Sequence, residues 1–271
     1  MKRSLFVAVA VVVALAACKS SFEDIPTSIP LGVITVAMQD APAGVHSTSP
    51  AAYFVDAVNV SIPNSATSAD TCAQLAFPGV TTTSPLSQID AGTPVMVTTV
   101  TNTTPDTALI TPQPADVNGY VFYRLPAGDS IEIKPGSTSR VIIPGASSGF
   151  DAFNTTFINA DSLKLNPIDA TEDSTGDLTL TWNPQVGPRA SVVVQLEFST
   201  SGSGLANSQI FCQFTDNGTH AVEPILANLW RRGGAKHVHA YRFLTTITND
   251  GSDQIDIVSQ YSTDSTTIIH P

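Results

Sequence analysis

An all-β fold is predicted for this chain of 271 residues by three features of its sequence. Only 13% of the residues are charged, while Ser, Thr, Asn, Pro, Gly, Val and Ile are abundant, a mixture that favours strands joined by turns. Short alternating apolar segments recur roughly every ten to fifteen residues, as in β-sandwiches and barrels. Only one segment has helical features. We therefore expect one or two antiparallel β-sandwich domains with at most one short helix.

The first 18 residues, MKRSLFVAVAVVVALAAC, have the pattern of a secretory signal peptide. Lys2 and Arg3 precede an uncharged apolar run over residues 5–17. This run of about 13 residues is too short for the roughly 20 that span a bilayer core. The run ends in LAAC at residues 15–18, which resembles the lipobox of bacterial lipoproteins.

The resemblance implies a covalent lipid anchor on Cys18. Its thiol would receive diacylglycerol, the chain would be cut before it, and the new amino group would take a further acyl chain such as palmitate. Each buried methylene contributes about 0.8 kcal/mol, so two or three chains anchor a protein stably. Because Lys19 and not Asp follows the cysteine, the outer membrane is favoured over the inner, with the body periplasmic or surface-exposed. The alternative is an ordinary secretory signal with a chance cysteine.

The chain divides by composition into five segments. They are a lipoprotein signal peptide (1–17), a lipidated tether (18–30), a β-sandwich half or domain (31–150), a connecting segment (151–177) and an immunoglobulin-like β-sandwich half or domain (178–271). The tether is polar and contains two prolines, so it would lift the body from a membrane.

The charge balance excludes nucleic acid as a partner. Removing residues 1–17 leaves 254 residues with 10 basic and 23 acidic side chains, a net charge near −13. Such a surface repels phosphate backbones and anionic headgroups. The membrane contact is therefore expected through the lipid, and other partners are an envelope protein or a glycan.

In the first half, alternating apolar residues predict strands over 31–38, 53–62 and 94–100. A three-stranded meander is predicted over 120–143, because the connections PAGD and KPGSTS carry Pro and Gly where tight turns need them.

In the second half, alternation predicts strands over 178–182, 191–198, 209–215, 219–222, 237–247 and 254–261. Asn217-Gly218 predicts a hairpin, since both central positions of a type I′ turn need positive φ. The segment 224–231 is the predicted helix, with Pro224 in its first turn and two glycines after it. The last two strands are expected to pair across NDGSD.

This half also resembles an immunoglobulin-like sandwich with Trp182 and Cys212 in its core. It departs from true immunoglobulin domains, which place a cysteine before that tryptophan. The run Cys212-x-x-x-Asp216-x-Gly218 with the following helix resembles a pattern in bacterial lipoproteins, and that resemblance implies no activity.

With Cys18 lipidated, Cys72 and Cys212 are left. Outside the cytoplasm they could form a disulfide. They could equally be two separate buried thiols, because sequence does not show that the two sites meet.

GASSG at residues 145–149 matches G-x-S-x-G, the strand-to-helix turn that exposes the nucleophile of α/β-hydrolases. A serine hydrolase using Ser147 is therefore a remote alternative, against which stands the absence of a convincing helix after it. No catalytic residue is assigned, and the chain is not expected to be an enzyme.

Metal sites are weak candidates, and no cofactor other than the lipid is expected. His237 and His239 would point to one face of a strand, where zinc would need a third ligand such as His220. Asp250 and Asp253 could bind calcium, as could the acidic residues of 169–177. Ordinary hairpin turn chemistry explains the Asn-Asp-Gly run equally well.

Trp230 is the candidate ligand contact. An exposed tryptophan could stack on a sugar ring, whereas a buried one would fill the sandwich. The expected function is a non-enzymatic binding or structural role in the cell envelope, with a glycan or small-ligand module as the alternative.

Overall fold

The computed structural model describes residues 29–39, 47–57, 70–76, 87–93, 95–99, 105–114, 121–171, 176–187, 190–200, 205–249, 253–263 and 268–269. Within these ranges lie nineteen strands and one helix, so the all-β class and the single short helix are confirmed. No helix in the same ranges is long and apolar enough to cross a membrane.

The described residues of the first half form ten strands. They are β1 (Ile29–Gln39), β2 (Ser47–Thr48), β3 (Ala51–Ala57), β4 (Thr71–Ala76), β5 (Ser87–Gln88), β6 (Val95–Thr99), β7 (Thr107–Pro112), β8 (Tyr123–Arg124), β9 (Ile131–Glu132) and β10 (Thr138–Ile143).

The remaining elements are nine strands and the helix. They are β11 (Phe153–Ile158), β12 (Ile168–Asp169), β13 (Leu178–Thr181), β14 (Ser191–Ser199), β15 (Ser208–Thr215), β16 (Thr219–Val222), α1 (Pro224–Arg232), β17 (Gly234–Asn249), β18 (Gln254–Thr263) and β19 (Ile268–Ile269).

One large sheet dominates the fold. Twelve strands follow the order β11-β10-β6-β7-β8-β3-β1-β18-β17-β14-β15-β4, and β5 pairs with β3 beside this path. Three two-stranded pairs, β12–β19, β13–β16 and β2–β9, complete the body. The result is a β-sandwich-like arrangement around one large sheet and not two separate immunoglobulin domains.

The central strand β1 makes the sheet mixed. It pairs antiparallel with β3 and parallel with β18, where Leu31 lies opposite Gln254 and Gln39 opposite Ser262. The expectation of a purely antiparallel sheet is therefore wrong at this position. A parallel pair needs a long crossover connection, and here almost the whole chain lies between the two strands.

The two halves of the sequence share this sheet. β1 of the first half pairs with β18 of the second, and β4 pairs with β15. One buried apolar cluster contains residues from both halves, including Phe54, Val97, Val194 and Phe214. The segments 31–150 and 178–271 therefore share one sheet and one apolar cluster.

Two predicted segment boundaries are wrong. Ile29 and Pro30 belong to β1, so the tether does not extend to residue 30. The segment 151–177 is not a plain connection, because it contains β11 and β12 and buries Phe157 and Leu163 in the core. β11 pairs with the preceding strand β10, whereas β12 pairs with the distant strand β19.

Two predicted local pairings are also wrong. β8 pairs with β3 and β7, β9 pairs with β2, and β10 lies between β6 and β11, so residues 120–143 do not form a meander. The turn at Asn217-Gly218 leads β16 away from β15 to pair with β13. Of the two turn residues, Gly218 has a positive φ of 91° and Asn217 does not, so the turn is not type I′. The predicted antiparallel pairing of β17 with β18 is confirmed.

Candidate ligand groove

The helix α1 packs against β14, β15 and β4. Pro224 occupies its first turn, and Arg231 and Arg232 lie in its last turn, where cations interact favourably with the helix dipole. Ala227 and Trp230 are fully buried beneath it. The predicted helix over 224–231 is thus confirmed, with one further residue at its end.

Trp230 is not available to a ligand. Its side chain is 0% exposed, and its indole Nε1 donates a hydrogen bond of 3.2 Å to the carbonyl oxygen of Glu197 in β14. The interpretation of Trp230 as a contact for a glycan or small ligand is therefore wrong. The residue instead fixes the helix to the sheet.

An open groove of about 440 Å³ lies on the other side of α1. Its lining residues are Phe198, Thr200, Ile225, Asn228, Leu229, Arg232 and Gly233. Ile225 is 76% exposed and Leu229 is 40% exposed, although both are large apolar side chains. A volume of this size lies within the usual range of about 300–1,000 Å³ for ligand pockets.

The floor of the groove depends on Gly233. A Cβ at this position would lie 2.6 Å from Cδ2 of Phe198, so no larger residue allows the chain to pass this close to the ring. Lys236 Nζ donates a hydrogen bond to the carbonyl oxygen of Gly233 and satisfies a group at the end of the helix. Gly233 thus contributes both to the apolar floor of the groove and to the end of α1.

Of the two arginines at the end of α1, only Arg232 lines the groove. Arg231 is buried and donates hydrogen bonds to the carbonyl oxygens of Gly176 and Asp177, at 2.7 and 3.1 Å. Arg232 is exposed and lines the groove. The whole chain has 12 basic and 23 acidic residues, so a guanidinium beside an apolar groove is locally distinctive.

The groove lies far from the start of β1. It adjoins Gly233, which precedes β17, whereas the other end of β17 at Asn249 pairs with Gln254, itself opposite Leu31. At about 3.3 Å per residue, the 16 residues of β17 extend over up to about 50 Å along the strand. The groove and the start of β1 therefore lie toward opposite ends of β17.

A second, smaller pocket of about 320 Å³ lies beside Asp90 and Tyr123. The Tyr123 hydroxyl donates to Asp90 Oδ1 and accepts from the Ala91 N–H, both at 3.1 Å. Burial raises the pKa of Tyr123 above its ordinary value, and the Asp90 carboxylate adds to the effect. The hydrogen bonds hold the Asp90 segment against β8, so this pocket has a structural role.

The histidine pair lies beside one carboxylate. His237 and His239 share one face of β17, and His239 Nε2 lies 3.7 Å from Glu197 Oε2. Among the described residues there is no group of three or more His, Cys, Asp or Glu side chains that could hold a metal ion. The proposed third ligand, His220, instead stacks on Phe214 with ring centroids 4.3 Å apart.

The described carboxylates of the acidic loops accept hydrogen bonds, one of them long-range and the others local. Asp253 is buried, and its Oδ2 accepts a hydrogen bond of 2.7 Å from the Asp151 N–H. Asp169 accepts from the Thr171 hydroxyl and N–H, and these bonds lower its pKa. Asp250 lies outside the described residues, as do residues 172–175.

Ser147 lies exposed in a turn between β10 and β11. A strand follows this turn, whereas a hydrolase nucleophile sits on a turn that enters a helix. The glycines of the motif have a packing role, because a Cβ on Gly149 would lie 2.0 Å from the carbonyl oxygen of Asp90, and a Cβ on Gly145 2.6 Å from the Ala152 nitrogen. The two glycines of the G-x-S-x-G match are therefore explained by the close approach of neighbouring backbone segments.

Cys72 and Cys212 are joined by a disulfide across β4 and β15, where they lie directly opposite one another. The bridge closes a sequence separation of 140 residues. Cys212 is fully buried and belongs to the apolar core cluster. Cys18 lies outside the described residues.

Comparisons of the chain with protein-family models, with curated protein sequences and with solved structures found no match. The α1 groove is therefore interpreted from its own chemistry. Sequence reasoning missed it, although Ile225 and Leu229 lie four residues apart and so share one side of the helix. That side is distinct from the one that carries Ala227 and Trp230.

Proposed function

We propose that this protein is a lipid-anchored protein of the cell envelope that binds an apolar, anionic ligand in the α1 groove. The observation that carries the proposal is the position of the groove toward one end of β17, up to about 50 Å along the strand from the end near which β1 begins. If the N-terminus is held at a membrane, the groove lies at the end of β17 that is away from the anchor. The role is binding and not catalysis.

The anchor part of the proposal rests on the lipobox-like sequence ending at Cys18. Ten residues separate Cys18 from Ile29 at the start of β1. At no more than about 3.6 Å per residue, such a tether reaches no further than about 36 Å. The β1 end of the sheet would therefore stay near the membrane.

The ligand class follows from the lining of the groove. Phe198, Ile225 and Leu229 offer apolar surface, and burying such surface contributes about 25 cal/mol per Å². Arg232 offers a guanidinium, which pairs with carboxylates. A linear apolar chain that ends in a carboxylate, as in a fatty acid, satisfies both features.

The anchor is tested by metabolic labelling with a palmitate analogue. The full chain should be labelled and found in the membrane fraction, whereas Cys18→Ala should lose the label and the membrane association. Equal labelling of the two chains would refute the anchor. This experiment is independent of the groove.

The groove is tested by titrating the full chain with a fluorescent medium-chain fatty acid. Ile225→Glu/Leu229→Glu should abolish saturable binding, because two carboxylates would occupy the apolar surface and repel the ligand. Val186→Glu is the matched control, since Val186 is 93% exposed and does not line the groove. Equal binding by all three chains would exclude the groove as the site.

The role of the cation is tested with Arg232→Gln. An exposed charge pair contributes about 0.2–1 kcal/mol, so the affinity for the fatty acid should fall about 1.4- to fivefold. The affinity for the alcohol of the same chain length should be unchanged. An equal loss for acid and alcohol would show that Arg232 does not contact the carboxylate.

A further inference from the structure

The disulfide between Cys72 and Cys212 joins the last strand of the large sheet to its neighbour. β4 ends the strand order, and within the described residues it pairs with β15 and with no other strand. The two cysteines lie directly opposite one another in a ladder of six residue pairs. One ladder and one covalent bond therefore connect β4 to the sheet.

The disulfide lies on the face of the sheet that carries α1. Cys212 lies opposite Val194 in β14, and directly opposed residues point to the same face. Phe198 follows Val194 by four residues along the same strand, so it points to that face too. Because Phe198 lines the groove and α1 packs against β4, β14 and β15, the bridge and the groove share one face.

The two cysteines differ in exposure. Cys212 is 0% exposed and belongs to the apolar cluster that also contains Ala227 and Trp230 of α1. Cys72 is only partly buried and packs against this cluster, as does Leu226 of α1. Of the two residues in the bridge, Cys72 is therefore the one that solvent reaches.

An exposed disulfide is open to thiol exchange, and access determines which sulfur is attacked. The thiolate of a reductant forms a bond to Cys72 Sγ, the bond between the two cysteines breaks, and its electron pair leaves on Cys212 Sγ, which takes up a proton. A second reductant thiol then attacks the mixed disulfide and releases Cys72 as a thiol. The bridge gains two electrons and two protons, and the two reductant thiols become one disulfide.

We propose that the Cys72–Cys212 bridge is a redox switch that regulates ligand binding in the α1 groove. With the bridge closed, β4 is fixed to β15 and supports α1. Reduction leaves β4 held by a single ladder at the end of the sheet, so α1 loses a fixed support and the groove loses affinity. The inference rests on the proposed function for its ligand, whereas the loosening of α1 is measured without one.

Opening of the bridge is tested with the full chain, purified in mild detergent and carrying Cys18→Ser, which leaves one cysteine pair. Reduced glutathione should open the bridge without denaturant, as shown by alkylation of the new thiols and mass spectrometry. Structural bridges resist this reductant. A bridge that opens only after unfolding in urea would overturn the switch.

The attacked sulfur is identified with the two single variants. Cys212→Ala leaves a partly exposed thiol at Cys72, and Cys72→Ala leaves a buried thiol at Cys212. The first thiol should be alkylated faster than the second. The reverse order would overturn the assignment of Cys72 as the sulfur that the reductant attacks.

The loosening of α1 is tested by amide hydrogen exchange and mass spectrometry. Reduction should raise the exchange of peptides from β4 and α1, and it should leave β10 and β11 unchanged because they lie at the other end of the strand order. Cys72→Ala/Cys212→Ala should show the reduced pattern with and without reductant. Unchanged exchange of α1 after reduction would overturn the switch.

Regulation of the groove is tested by titrating both redox states with the fluorescent medium-chain fatty acid. The reduced chain should bind about fivefold more weakly or worse, as for typical coupling between two sites. Ile143→Ala is the matched control, since it truncates a buried residue of β10 and lowers the stability of the fold without removing the bridge. It should bind the fatty acid like the oxidised chain.

Three outcomes of this titration are decisive. Equal affinity in the two redox states would overturn the regulation. An equal loss of affinity in Ile143→Ala would assign the effect to global stability and not to the bridge. No binding by the oxidised chain, with the exchange of α1 still raised by reduction, would refute the proposed fatty-acid site and not the loosening of α1.

Discussion

Arg242 and Asp216 form a buried ion pair in which Arg242 Nε lies 2.7 Å from Asp216 Oδ2, and both side chains are at most 2% exposed. The carboxylate also accepts hydrogen bonds from Trp182 Nε1 at 2.7 Å and from the Gln185 N–H at 3.0 Å. Arg242 Nη1 donates to the carbonyl oxygen of Ser162 at 2.6 Å. This network joins β17 and β15 to the chain that follows β13.

Removing one member of the pair should strongly destabilise the fold. Asp216→Ala leaves the Arg242 guanidinium buried without its counter-charge, a change that costs about 3–5 kcal/mol. The free energy of unfolding in urea measures this loss. Asp129→Ala is the control, because Asp129 is exposed in a turn and its loss should change stability by no more than about 0.5 kcal/mol.

The double variant Arg242→Met/Asp216→Ala separates the charge effect from the loss of packing. It removes both charges and should be more stable than Asp216→Ala, since no unpaired ion is then buried. A double variant less stable than the single one would show that the guanidinium acts mainly through its bonds to backbone carbonyls.

The position of strands was predictable where alternation is regular, and their pairing was not. Residues 237–247 and 254–261 are adjacent in the chain, so their antiparallel pairing was correct. The parallel pairing of β1 with β18 brings together segments about 220 residues apart, and no local pattern encodes such a contact. Asp216 was noted as part of a motif, but its partner Arg242 lies on another strand.

The candidate site was only partly predictable for a similar reason. Pro224 and the two glycines after the segment predicted the helix. Trp230 in this helix was interpreted as a ligand contact. Which side of a short helix is buried depends on the strand beneath it, here β14, whose Glu197 carbonyl accepts the Trp230 N–H. The burial of Trp230 fixes which side of α1 faces the sheet, and it leaves Ile225 and Leu229 on the exposed side.

The disulfide should contribute substantially to stability. Cys72→Ala/Cys212→Ala opens a long covalent loop, and removal of such a bridge costs about 2–5 kcal/mol. Unfolding in urea should show the loss, and the unmodified chain in reductant should approach the stability of the variant. A chain whose stability is insensitive both to reductant and to the double substitution would contradict this expectation.

Truncating Trp230 should test whether α1 depends on its buried contact. Trp230→Ala removes a fully buried side chain and should destabilise the fold by about 3–5 kcal/mol. Leu229→Ala is the neighbouring control, since Leu229 is 40% exposed and should lose much less. Unfolding in urea measures both, and an equal loss in the two variants would show that the helix is not held through Trp230.

Stability should fall in alkaline solution, and Tyr123 should account for part of the fall. Burial raises its pKa in the folded state, so above about pH 10 the unfolded chain releases the phenolic proton while the folded chain retains it. The folded state then binds more protons, and the free energy of unfolding decreases as pH rises. Below that pH both states are protonated and this contribution is fully present.

Tyr123→Phe should therefore flatten the decline of the free energy of unfolding above about pH 10. The variant should also be less stable at neutral pH, because its ring cannot donate to Asp90 or accept from the Ala91 N–H. Some decline should persist, since burial also raises the pKa of Tyr53 and Tyr241. Urea unfolding at a series of pH values measures the decline in both chains. If the free energy of unfolding falls equally steeply with pH in both, Tyr123 is not the group responsible.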